Sequence, residues 1–554
     1  MTVDPVTLEV VRNAAAAVAE EMNATLVRTS YSPNIKDRKD CSCAVFDADG
    51  TLVSQAENIP VHLGAMPFSV AAALEKFPPE TLESGDEILL NDPFHGGAHL
   101  PDLTLVTPAF ADGELIGVLA NRAHHADIGG TTAGSVAADS TEIYQEGLRL
   151  PPIKLSAGGT VNEAVVDLLL ANVRTPDERR GDLRAQQAAN RTGVERLTEL
   201  HSRYDDLSGI LDEVQDYSER RMRSEIGALP DGEYRFADAL DDDGQGTQDL
   251  PIAVTVTVDD DAIGVDFTGT AGQVRGAINA PFAVTASATY YAVRCVTDPT
   301  IPPNAGAYRP IEIDAPKGTI VNAAPPAAVV GGNLEVSQRV TDALLGAIGA
   351  VVPERAAAAG QGTMNNLTFG GTDPRTDDPY AFYETLGGGF GGRAGADGMD
   401  GVHVHMSNTL NTPAEVLETA YPLRVTDYSY RPNTGGAGEF RGGLGLRRDI
   451  EVLAETTFSL LADRRAHRPY GLDGGAPGAP GEDYLIVDGD PEPIPSKSTH
   501  QLDPADVVSI RTPGGGGYGD PGDRDPEAIR RDLAAGKLSP DSARSDYEFE
   551  PSGK

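Results

Sequence analysis

The chain has 554 residues, more than a single hydrophobic core usually organises, so two or three packed regions are expected. Its 84 acidic residues outnumber 44 basic ones, giving a net charge of −40, yet the acids are spread through a chain that is 40 % hydrophobic. The excess is therefore a surface property rather than a disordered tail, and a surface of this sign excludes nucleic-acid backbones and anionic membranes as partners.

Lysine is scarce beside arginine, which together with the acid excess reads as adaptation to concentrated salt, where self-repulsion is screened. The three cysteines, Cys41, Cys43 and Cys295, are too few to staple a chain of this size, and Cys41-Ser-Cys43 is too tight for an ordinary disulfide. Small buried core residues are the expectation for the first two. No signal peptide and no bilayer-length apolar run is evident, so a soluble, cytoplasmic protein is expected.

Asp4-Pro5 opens a helix with an acidic cap and Pro just inside, and Leu8, Val11, Ala15 and Val18 mark its buried face. CAVFDADGTLVSQ is two apolar runs about Asp49-Gly50, the form of a hairpin. ILLNDPFHGG, LTLVTPAF and LIGVLANRAHH follow as strands that deliver polar residues at their ends. Residues 1–160 thus read as an N-terminal α/β region, and the charged text of 161–229 as a helical connector. From 230 to 520, alternating runs such as IAVTVTVDDDAIGVDFTG indicate antiparallel sheet, interrupted by a helix in GGNLEVSQRVTDALLGAIGAVV and by dense glycine from Tyr383 onward. Aromatic and apolar residues interleave with those glycines, which points to close packing of chain on chain rather than a flexible linker. Residues 521–554 form a small helical tail. The expected class is mixed, α+β.

Half of the ten histidines, His62, His95, His99, His124 and His125, fall in one N-terminal window. Two histidines and a carboxylate from neighbouring strand ends can converge on a divalent ion while leaving positions open for water or substrate. The spacing selects His99, Asp102 and His124 as ligands, and a donor set without thiolate admits Mn, Fe or Zn. H-x-x-D recurs as His124 with Asp127, which makes His125 and Asp127 candidates for acid–base work or for holding the ligands from behind. Asp92 and His95 read rather as turn caps. His403 and His405 alternate in VHVHM and would share one face of a strand, with Asn408, Asn411 and Glu415 following; a buried structural network explains them as well. Glu142 and Glu146, before Gly147, read as a helix or turn face ahead of a substrate-binding or acid–base pair. The chain has no G-x-x-x-x-G-K-[ST], and its glycine runs lack the strand-before, helix-after setting of a phosphate loop.

SPNIKDRKDCSCAVFDADGTLVSQAENIPVHLGAMP, NDPFHGGAHLPDLTLVTP, NRAHHADIGG, EIYQEGLRLPPIKL, GGNLEVSQRVTDAL, DGVHVHMSNTLNTPAEVLE and TPGGGGYGDP together resemble the hydantoinase B and oxoprolinase family, which includes the acetone carboxylase alpha subunit. The resemblance implies a subunit of a hetero-oligomer whose hydantoinase A type partner handles ATP. The activity it implies is hydrolysis of a cyclic amide such as N-methylhydantoin or 5-oxoproline. It also places the metal of the carboxylase relatives at His99, Asp102 and His124. His125 stands where the carboxylase branch tends toward another residue, which leans toward the hydantoinase or oxoprolinase branch. A carboxylase that joins an activated ketone to CO2 or bicarbonate, and a non-catalytic scaffold for the ATPase, are the alternatives.

Overall fold

The structure is a computed structural model that describes residues 3–56 and 58–551. Helix α1 (Pro5–Thr29) begins as expected: Asp4 accepts from the amides of Val6 and Thr7, and Val11, Ala15, Val18, Met22 and Leu26 line its buried face. Strands β1 (Cys41–Phe46) and β2 (Leu52–Gln55) form the hairpin about Asp49-Gly50, and helix α2 (Pro60–Lys76) follows. Strands β3 (Glu87–Leu90), β4 (Asp102–Ala111), β5 (Glu114–His124), β6 (Ile153–Ala157) and β7 (Thr160–Val161) complete a seven-stranded antiparallel sheet of order β2-β1-β5-β4-β3-β6-β7.

Both faces of this sheet are covered, and the twofold alternation of side chains shows how. On β5, Leu119 and Ala123 pack with α1 and with helix α4 (Pro176–His201), while Val118 and Ala120 pack on the opposite face with Met66 and Val70 of α2. The charged stretch after β7 supplies α3 (Glu163–Leu170), α4 and α5 (Leu207–Ile226). Helix α4 is docked on the sheet by buried amides: Gln186 donates to Leu103 O and Asn121 Oδ1, and Asn190 donates to Leu105 O. Polar side chains on a buried helix face are tolerated here because each finds a partner.

A second sheet, of order β11-β10-β9-β8, contains β8 (Gly232–Asp242), β9 (Gln248–Asp259), β10 (Ala262–Asp266) and β11 (Ile311–Asp314). It packs on α7 (Ser337–Gly349), which in turn packs on α6 (Phe282–Cys295); α6 also crosses α2, so the largest core cluster spans this region. The rest is a β-sandwich. One sheet has order β13-β12-β16-β19, built from β12 (Asn366–Asp373), β13 (Asp378–Thr385), β16 (Thr456–Leu461) and β19 (Lys497–Leu502). The other has order β14-β15-β20-β17-β18, built from β14 (Leu423–Tyr430), β15 (Leu446–Val452), β17 (Glu482–Val487), β18 (Asp490–Pro493) and β20 (Val507–Arg511). Phe369, Phe382 and Phe458 from one face meet Ile450, Val508 and Ile510 from the other.

The glycine runs lie backbone against backbone. Gly443 donates to Phe390 O, and Gly515 donates to Gly443 O. A Cβ at Gly443 would lie 1.9 Å from Met399 O, so only glycine permits the approach. The VHVHM segment departs from the expected strand. After a single bridge between Gly388 and Val402 the chain turns, with Ser407 donating to Val404 O and His405 at φ +48°. His403 and His405 therefore do not share a strand face. Helices α8 (Pro526–Ala534) and α9 (Pro540–Tyr547) form the helical tail. No helix among the described residues is long and apolar enough to cross a membrane.

Candidate metal centre

Strands β4 and β5 are joined by a tight hairpin, and their register places Asp102, the first residue of one, directly opposite His124, the last of the other. His99 lies three residues before Asp102, and the turn between them is closed by Asp102 donating its amide to His99 O. Three donor atoms consequently converge. His99 Nε2 is 3.0 Å from Asp102 Oδ1, His124 Nδ1 is 3.2 Å from the same oxygen, and the two ring nitrogens are 3.2 Å apart. All three residues are buried. Ligands about 2.1 Å from a divalent ion and at about right angles stand about 3 Å from each other, which is the spacing of this triangle.

The surroundings also fit a cation. His124 Nε2, His62 Nδ1 and Asn333 Oδ1 are buried without a hydrogen-bond partner among the described residues, a costly arrangement unless something else completes it. Burial opposes ionisation of Asp102, but the charges of His99 and His62 hold its carboxyl well below the usual carboxylate range. Burial lowers the basicity of His124, which keeps the neutral imidazole that coordination requires.

Other elements close the site. His62, on α2, brings Nε2 to 3.3 Å from Asp102 Oδ2 and 3.9 Å from Asp40 Oδ1. Tyr383, on β13, stacks on the His124 ring at 4.5 Å and 18°. Asn333, from the turn that leads into α7, is 3.2 Å from His99 Nε2, and Val330 O of the same turn is 3.4 Å from His99 Nδ1. Behind that turn Glu146 accepts the amides of Val329 and Val330, and burial pushes its carboxyl up to about 8. Asp40, His62, His124, Asn333, Tyr383 and Thr409 are among the walls of a cavity of about 20 Å³, room for one water.

The sequence gives no warning of Asp40, Asn333 or Tyr383, because nothing in their local text separates them from ordinary turn and strand residues. His125 and Asp127 have other neighbours. Alternation turns His125 away from His124, toward Gln186 Oε1 at 3.0 Å, and burial with the nearby Arg179 charge lowers its imidazole to about 4. Asp127 accepts from the amides of Gly129, Gly134 and Arg174 and from the Arg174 guanidinium. Asp92 caps the turn at Phe94 and pairs with the exposed His95 at 2.8 Å. Glu146 is buried rather than on a turn surface. His405 lies 3.5 Å from Asp342 on the wall of a different cavity.

The profile described as hydantoinase B/oxoprolinase matches residues 4–521. The crystal structure of the ATP-dependent caprolactamase from Pseudomonas jessenii superimposes with a TM-score of 0.93 at 32 % identity, covering 100 % of this chain and 97 % of that one. A protein of Pseudomonas sp. provisionally assigned as the B subunit of a D-/L-hydantoinase is 37 % identical over 98 % of this chain and 95 % of its own length. The 5-oxoprolinase 1 of Arabidopsis thaliana is 38 % identical over 93 % of this chain, which spans 42 % of that longer protein. With nearly its whole length matched by the profile and by relatives well above 30 % identity, the chain belongs to the hydantoinase B/oxoprolinase family.

Proposed function

We propose that the chain is the B-type subunit of a cytoplasmic, ATP-dependent cyclic-amide hydrolase that opens hydantoin or 5-oxoproline type rings at a divalent-metal centre. The observation that carries this reading is the buried triangle of His99, Asp102 and His124. The nitrogen and oxygen donors suit Mn, Fe or Zn. A bound ion would supply Lewis acidity and a water that ionises near neutral pH.

The chain's own side chains then have distinct tasks. Asp102 provides the negative charge of the donor set, and His62 faces its second oxygen. Tyr383 holds the His124 plane by stacking, and Val330 O faces His99 Nδ1, the nitrogen that does not point into the triangle. His125 and Asp127 act from behind: one ties the end of β5 to α4, and the other locks the loop after it.

Water opens an unstrained five-membered lactam slowly. Phosphorylating the carbonyl oxygen creates a leaving group and couples ring opening to ATP. In this reading that ATP is held by a separate A-type partner. The B-type designation of the Pseudomonas relative and the additional length of the plant 5-oxoprolinase support a second component.

Metal analysis of the purified chain, with His99→Ala beside it, tests the centre. Metal in the parent and loss of both metal and turnover in the variant are expected. Unchanged metal and turnover would leave only a scaffold for the ATPase. Assaying the complex with 5-oxoproline or hydantoin against acetone plus bicarbonate separates the reactions, and ATP consumption with the ketone alone would reject a hydrolase.

A further inference from the structure

A cavity of about 380 Å³, within the usual range for a small-molecule site, lies one residue away from the metal centre. The wall between them is thin at two places. Asn58 and Pro60 line the larger cavity, while Ile59, Val61 and His62 line the small one beside the triad. Likewise Asn408 lines the larger cavity, and its neighbours Ser407 and Thr409 line the small one. Across this seam, among the described residues, Asn408 Nδ2 donates to Asn58 O at 3.0 Å, and the Val61 amide reaches Met406 O at 3.4 Å.

The far wall is one face of α6. Ser287, Tyr290, Tyr291 and Arg294 recur at the spacing of a single helix face. Where α6 crosses α2, a Cβ on Gly64 would fall 2.5 Å from Ser287 Oγ, and Ser287 donates to Pro60 O. Tyr290 stacks on Tyr308 at 4.3 Å, giving flat apolar surface suited to a small ring.

The charge of the lining is unlike the rest of the chain. Although the sequence has 84 acidic residues, none of those among the described residues lines this cavity, and Arg294 is the one charged group of its described lining. Arg294 donates to Ile301 O at 3.0 Å and forms no ion pair with a carboxylate among the described residues. A guanidinium facing a partly apolar cavity with no counter-ion among the described residues is a ready partner for a ligand carboxylate or other planar anion.

We propose that this cavity is the ring-binding chamber of the enzyme and that Arg294 selects lactams bearing a carboxylate over uncharged ones. The seam between Asn58–His62 and Ser407–Thr409 is then the passage by which the ring carbonyl reaches the centre. This inference rests on the cyclic-amide function proposed for the metal centre.

Equilibrium titration of the purified, metal-loaded chain with two probes tests it. 5-Oxoproline carries the carboxylate, and 2-pyrrolidone is the same ring without it. The parent is expected to bind 5-oxoproline about tenfold more tightly than 2-pyrrolidone, equivalent to about 1.4 kcal/mol. Arg294→Gln should remove that preference by weakening 5-oxoproline alone. Pro299→Trp, at the exposed rim, should weaken both rings while metal content and melting temperature stay at parental values. A retained preference in Arg294→Gln, equal loss of both probes in it, undiminished binding in Pro299→Trp, or no ring binding by the parent would overturn the proposal. Metal content measured on the same samples separates the two readings: ring selectivity without metal would sink the centre, and metal without ring selectivity would sink the chamber.

Discussion

Asp102 and His124 face each other across the β4–β5 ladder, 22 positions apart in sequence, with Oδ1 and Nδ1 3.2 Å apart at the strand ends. Their separation is fixed by backbone pairing rather than by side-chain flexibility, so the donor set is prearranged. Asp102→Asn keeps the shape but removes the charge. We expect it to lower bound metal at least about tenfold and to abolish ring opening, with little change in fold by circular dichroism; parental metal content in this variant would argue against a metal role.

His62 differs from the three proposed ligands because it meets Asp102 at the other oxygen, 3.3 Å away. His62→Ala should retain metal at saturating concentration while weakening its affinity by about 10–100-fold, the usual effect of losing a group that holds a ligand in place. Competition with a chelator measures this. Loss of all metal even at saturation would make His62 a ligand itself.

The glycine contacts predict a purely structural effect. A Cβ at Gly389 would fall 2.1 Å from Gly515 N, and one at Gly443 would fall 1.9 Å from Met399 O, in both cases against backbone that cannot move alone. Gly443→Ala should cost on the order of 3 kcal/mol in denaturant unfolding while leaving metal affinity near the parental value. A stability change under about 0.5 kcal/mol would mean that the glycine segments around Gly389, Gly443 and Gly515 are not packed as described.

Much of this architecture is legible before any coordinates. Asp4-Pro5 announces α1, Asp49-Gly50 announces the first hairpin, and His99, Asp102 and His124 are selected by residue type and position at strand ends. Those signals are local, and local rules suffice for them. The remainder of the site is not local. Tyr383 reaches His124 from the sandwich, Asn333 arrives from the helical turn before α7, and His62 comes from α2, packed on the face of the sheet that His124 shares with Val118 and Ala120. Their placement depends on long-range packing that neither periodicity nor capping encodes. VHVHM is the opposite case, where alternation suggests a strand but pairing ends at Val402 and His405 turns at positive φ.

Glu146 supplies a pH-dependent prediction. Burial raises its carboxyl from 4.5 to about 8, while its Oε1 accepts the Val329 and Val330 amides and Oε2 has no partner among the described residues. Because the folded state holds the proton more tightly than the unfolded one, the stability linked to this group is fully present below about pH 4.5 and is lost as pH rises through about 8. The contribution is on the order of a few kcal/mol. Glu146→Gln keeps an acceptor for both amides but cannot ionise. Its melting temperature should therefore fall less than the parent's between about pH 5 and pH 8. The same substitution should preserve metal binding, since the turn carrying Val330 and Asn333 keeps its support. Parallel melting curves for parent and variant across that range would show that Glu146 does not titrate between the folded and unfolded states.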